Sequence, residues 1–148
     1  METGVETPLL ILALGIAGVE AAPAPVPEWI WPANEGRAPA DNEVRFFRKT
    51  FTLQGDVSKA VLCVAADNHA VVFVNGKEVL RNDEWEKPDV VEVTKEIRAG
   101  ENVIAARAKN DSGFAGFIGK LDLTFADKTT VSVRRLRSPF IHSAILLF

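Results

Sequence analysis

The dipeptide Asn75-Gly76, set between Val71-Val-Phe-Val74 and Lys77-Glu-Val-Leu80, leaves little choice of local structure. A two-residue type I′ turn needs positive φ at both positions, and Asn-Gly accepts this with least strain. The stretch reads as a β-hairpin. Closing it on that turn places Val74 opposite Lys77, Phe73 opposite Glu78, Val72 opposite Val79 and Val71 opposite Leu80. The last two pairs fall on opposite faces, which predicts apolar cover on both sides.

The rest of the chain repeats the theme of short strands and tight turns. Val44 to Leu53 places Phe47, Phe51 and Leu53 on one face and Arg48, Thr50 and Thr52 on the other, with Phe46 sharing the polar face. Ser58 to Ala66 is apolar on both faces and reads as a central strand. Val90 to Ile97 is a short strand or extended segment. Asn102 to Asn110 is a strand with Ile104, Ala106 and Ala108 aligned. Gly116 to Phe125 alternates cleanly, and Thr130 to Val133 follows a turn at 126–129. Turn signals fall at Gln54-Gly-Asp56, Asp67-Asn68, Ala99-Gly-Glu-Asn102 and Asp111-Ser-Gly113. No convincing 3.6-residue period and no internal repeat is present. The predicted class is an all-β antiparallel sandwich.

A chain of 148 residues with 47% hydrophobic and 25% charged residues has room for one ordinary core. Its single cysteine, Cys63, precludes an internal disulfide and sits in an apolar strand, where a buried structural thiol is expected. The formal charge is −3, and no basic excess points to nucleic acid. The cluster Arg134-Arg-Leu-Arg137 lacks an accompanying aromatic platform and reads as solvated tail.

Leu9 to Val19 is an apolar run too short to span a bilayer and of the right length for the h-region of a signal peptide. Val19-Glu-Ala21 suits cleavage after Ala21. The expectation is therefore a signal peptide at 1–21, an exported mature chain with no membrane span, and a Pro/Ala-rich linker at 22–28. The n-region departs from pattern, because it holds Glu2 and Glu6 and no Lys or Arg. Removing 1–21 leaves 17 acidic and 17 basic residues, net zero. The sandwich is expected over 29–133. The tail at 134–148 ends on bare hydrophobes and reads as irregular or truncated.

Chemistry-bearing residues are sparse. His69 and His142 are the only histidines, and neither has a second ligand at zinc spacing. No nucleophile elbow is present, so no catalytic residue is assigned. Asp67, Asp83, Glu84 and Asp111 stand at strand ends, where loops carry function. Trp85 lies in the polar stretch Arg81 to Asp89, unsuited to a core. Trp29 and Trp31, two apart, are expected to pack on the sandwich; the other reading is a sugar-stacking platform.

The segment from Trp29 to about Phe125 resembles the galactose-binding-like jelly-roll domains that accompany glycoside hydrolases such as α-L-rhamnosidases and β-galactosidase-like enzymes. The carriers are Val44-Arg-Phe-Phe-Arg-Lys-Thr-Phe51, Ala65-Ala-Asp-Asn68, Val72-Phe-Val-Asn-Gly-Lys77, Gly100-Glu-Asn-Val-Ile-Ala105 and Ala108-Lys-Asn110. The resemblance implies an eight-stranded sandwich with any ligand at loops on one end, and often a structural Ca²⁺; no other cofactor is expected. The final strand is placed in doubt by the basic tail. Its implied role is that of a non-catalytic carbohydrate-binding module, with Trp85 stacking on a sugar and Asp67, Asn68, His69, Asp83 and Asn110 around it. The alternative is an interaction module that docks a neighbouring domain or protein without a small ligand.

Overall fold

The computed structural model describes residues 28–32 and 38–134. The expected signal peptide at 1–21, most of the expected linker and the tail beyond Arg134 lie outside the described residues. Among the described residues there are eight strands: β1 (Val44–Leu53), β2 (Val57–Asp67), β3 (His69–Val74), β4 (Lys77–Asn82), β5 (Asp89–Glu92), β6 (Gly100–Lys109), β7 (Gly116–Phe125) and β8 (Thr130–Arg134). They form two four-stranded antiparallel sheets, ordered β1-β6-β3-β4 and β5-β2-β7-β8. A 3₁₀ turn at Thr94–Glu96 follows β5. Among the described residues no helix is long and apolar enough to cross a membrane.

The alternation read from the sequence sets the core. Phe47, Ile104, Ala106, Val72 and Val74 from one sheet meet Leu62, Val64, Phe117, Leu121 and Leu123 from the other, all essentially buried. Phe47 lies between Phe117, stacked with centroids 4.9 Å apart, and Trp31, tilted at 6.1 Å. Truncating such a ring costs about 3–5 kcal/mol, because transfer and cavity terms add. Phe46, one residue earlier, is half-exposed on the outer face.

The hairpin forms as expected, with φ of 49° at Asn75 and 86° at Gly76. Its register differs from the prediction in one respect. Val74 pairs with Lys77 and Phe73 with Glu78, but Val72 then pairs with Leu80 and Val71 with Arg81. A bulge takes up Val79, and it keeps Leu80 on the core side. Cover is thus complete on one face, where Val72 and Val74 are buried, and partial on the other.

Asn75 does more than shape the turn. Its Nδ2 donates to the Glu96 carbonyl (2.7 Å) and to Asn102 Oδ1 (2.9 Å), and its Oδ1 accepts from the Val103 amide (2.9 Å). Asn102, fully buried, accepts from the Arg98 amide and donates to the Arg98 and Gly100 carbonyls. This end of the sandwich is closed by neutral amides that satisfy one another, as burial demands.

Candidate functional site

The opposite end gathers the loops β2–β3, β4–β5 and β6–β7. Asp67, Trp29, Trp85, Phe114, Ala115 and Gly116 line an open groove there of about 210 Å³. Trp29 is 47% exposed, Trp85 53% and Phe114 90%. Three large aromatic side chains are thus left substantially in water at one place, outside the core.

Each wall is held by identifiable chemistry. Ile30 exchanges two backbone hydrogen bonds of 2.9 Å with Phe117, which fixes the 28–32 segment beside β7. Trp31 then turns to Phe47, while Trp29 lies over Gly116. A Cβ at position 116 would stand 2.7 Å from Trp29 Cε3, so the close approach needs glycine. The packing expected for both tryptophans therefore holds for Trp31, whereas Trp29 forms a groove wall.

Asn82 fixes the loop that carries Trp85. Its buried Oδ1 accepts from the Ala66 amide (2.8 Å), and its Nδ2 donates to the Glu84 carbonyl, the Lys87 carbonyl and Asp89 Oδ2 at 2.9–3.1 Å. Two hydrogens serving three acceptors require one to be shared. The Phe114 loop turns through Gly113, whose φ is 76°. The peptide bond between Asp67 and Asn68 is cis.

Of the residues predicted for the site, Asp67 and Trp85 line the groove. Asn68 works on the backbone: its amide donates to the Lys109 carbonyl (3.1 Å), and its Oδ1 accepts from the Asp111 amide (2.7 Å). His69 is bound on both ring nitrogens, Nδ1 to Asp83 (2.8 Å) and Nε2 to Asp111 (2.7 Å), and Lys109 reaches the other Asp111 oxygen (2.5 Å). With both nitrogens so occupied, the imidazole has no free position from which to serve a nucleophile as general base. The side-chain bonds to Asp83 and then Asp111 raise the His69 pKa above its usual value, while Lys109 and then His69 hold the Asp111 carboxyl below the usual range.

Asn110 requires correction. It is fully buried, its Nδ2 donates to the Ala40 carbonyl (3.1 Å) and its amide to the Glu43 carbonyl (2.8 Å). It ties the 40–43 turn to the end of β6 and does not line the groove. Trp29 and Phe114 enter in its place. Phe114 bore the same signal as Trp85, a large aromatic inside a polar turn.

The resemblance implied a structural Ca²⁺, which takes six to eight oxygen ligands. Among the described residues no group of three or more His, Cys, Asp or Glu stands together to hold a metal. Asp83 and Asp111 are engaged by His69, and Asp111 also by Lys109. These acids do not form a Ca²⁺ cage. Cys63 lies on β2 away from the groove lining, and burial pushes its thiol pKa up.

Comparison with known proteins agrees with the antiparallel β-sandwich. No protein-family model matches the chain. It is 38% identical over 122 residues to an α-L-rhamnosidase of Streptomyces avermitilis, a match that covers 72% of this chain and 12% of that enzyme. The crystal structure of that organism's α-L-rhamnosidase complexed with L-rhamnose superposes with a TM-score of 0.63 at 34% identity, covering 76% of this chain and 12% of the other. A Pleurotus ostreatus lectin in its apo form gives 0.64 at 27% identity, over 71% of this chain and 31% of the lectin. The GH78 rhamnosidase of Bacillus sp. GL1 gives 0.56 at 27%, over 70% and 12%. The chain is thus similar to a β-sandwich module within α-L-rhamnosidases and to part of a lectin, and it spans about an eighth of those enzymes.

Proposed function

We propose that this chain is a non-catalytic carbohydrate-binding module that acts in an exported protein. The observation that carries the reading is the groove in which Trp29, Trp85 and Phe114 stand exposed beside Asp67. Aromatic faces offer the C–H face of a sugar ring a flat apolar contact, and a carboxylate accepts hydrogen bonds from its hydroxyls. The volume is below the roughly 300 Å³ at which drug-sized pockets begin, so it suits one sugar ring at the end of a chain or on a polymer. The similarity to a lectin and to a small part of rhamnosidases supports a binding role over a reaction.

Isothermal titration of the protein against monosaccharides, L-rhamnose and galactose among them, and against cell-wall polysaccharides tests this. Binding that Trp85→Ala weakens by about tenfold or more is expected. The absence of heat with every sugar sinks the reading. One observation favours the alternative of a docking module: the outer face of the first sheet presents Phe46, 48% exposed, in register with Arg107. Loss of association with a neighbouring domain in Phe46→Ser would favour it.

A further inference from the structure

His69 joins the loop that carries Trp85 to the loop that carries Phe114. Asp83 lies two residues before Trp85, and Asp111 three residues before Phe114. Both carboxylates reach the same imidazole, at 2.8 and 2.7 Å. We propose that His69 is the positioning residue of the groove, a clamp whose two ring nitrogens hold the Trp85 loop to the Phe114 loop and so set the spacing of the two aromatics. Its consequence for ligand affinity rests on the carbohydrate-binding reading; the clamp itself is a property of the free protein.

The chemistry of the bridge requires a proton. A carboxylate only accepts hydrogen bonds, and a neutral imidazole has one N–H. Two carboxylates on one ring are both satisfied by imidazolium alone. With His69 charged, the group Asp83, Asp111, His69 and Lys109 is neutral. With His69 neutral, it carries one net negative charge and a ring lone pair faces a carboxylate. The other charges at this end include Asp67 at the end of β2, Glu84, Glu86 and Lys87 on the Trp85 loop, Asp89 held by Asn82, Asp41 in the turn whose Asn42 amide donates to the Asp111 carbonyl, Glu28 before Trp29, and Arg45 paired with Glu43 beside Asn110. Lys109, opposite His69 in the β3–β6 register, is spent on Asp111.

The sign follows. The folded-state pKa of His69 lies above its ordinary 6.5, so the clamp is fully made below pH 6.5 and is lost as pH rises through the folded value. At the acid side the Asp111 arm lasts until Asp111, held below 3.8, takes up a proton. The His69 side chain is 40% exposed, so salt weakens the bridge.

The test is hydrogen exchange of the full chain, free of ligand, at pH 5.5 and 8.5 and corrected for intrinsic rates. Exchange at 82–89 and 110–116 is expected to rise together at the higher pH, by roughly fivefold, which corresponds to about 1 kcal/mol. In His69→Gln it should be fast at both pH values, and Asp83→Asn should release the Trp85 loop while the protein stays folded. Protection of both loops that ignores pH, or a pH response that persists in His69→Gln and so belongs to another group, overturns the clamp. Where a sugar binds, its affinity should fall between pH 5.5 and 8.5 in the parent and not in His69→Gln. A clamp seen by exchange with no sugar bound would refute the function and leave the clamp standing.

Discussion

The two ends of the β3–β4 hairpin use the same residue for different purposes. At the turn, Asn75 and Asn102 bond each other and the surrounding backbone, and Lys77 pairs with Glu96 at its edge. At the mouth, Asn82 and Asn110 also tie loops to strands from buried positions, but above them stand a charged bridge and three exposed rings. Buried amides make loops rigid at either end. Only at the mouth is that rigidity applied to side chains that have nothing to do in the fold.

The comparison breaks if its two buried asparagines behave alike. Asn82→Ala and Asn102→Ala should each lower unfolding free energy by about 2–4 kcal/mol in urea titrations, since each strands several buried polar groups. Only Asn82→Ala should also change tryptophan fluorescence of the folded state through Trp85. A matching change in Asn102→Ala would erase the distinction. Trp85→Ala should cost about tenfold or more in sugar affinity, about 1.4 kcal/mol, and leave stability within about 0.5 kcal/mol because the ring is half in water. Gly116→Ala should weaken binding by a smaller factor of about three to ten, as Trp29 is forced off its seat; an unchanged crystal position of Trp29 would contradict this. The smallest effect belongs to the turn end. Lys77 holds the Glu96 carboxyl below its ordinary value. The pair contributes stability that is present above pH 4.5 and fades as pH falls through the folded pKa of Glu96, and Lys77→Ala should cost no more than about 0.5 kcal/mol by thermal denaturation.

The strands were legible because alternation and turn residues act locally. β1 and β7 have the bounds that their patterns predict. The bulge at Val79 was not legible: Val79 and Leu80 are both apolar, and only packing against the second sheet selects Leu80 for the core. The site was legible in part. Trp85 stood out as an aromatic in polar surroundings, and Asp67 as an acid at a strand end. Asn110 misled because an asparagine before a turn looks solvated, whereas here the 40–43 backbone, seventy residues earlier, takes up its amide. His69 looked like a ligand contact and is held instead by two acids that come together only in the fold. Trp29 and Trp31 look alike in sequence, and only the bridge through Ile30 decides which faces water.

That bridge has a thermodynamic consequence. The strip 28–32 offers Trp31 to the core and Trp29 to the groove, and hangs on β7 by the two hydrogen bonds of Ile30. Whatever stacks on Trp29 is linked to the attachment of the strip and therefore to the seating of Trp31 on Phe47. A ligand at a hundred times its dissociation constant would add about 2.7 kcal/mol to that attachment. Occupancy of the groove should thus be readable as a rise in melting temperature and as slowed exchange at the Phe117 amide beneath the strip.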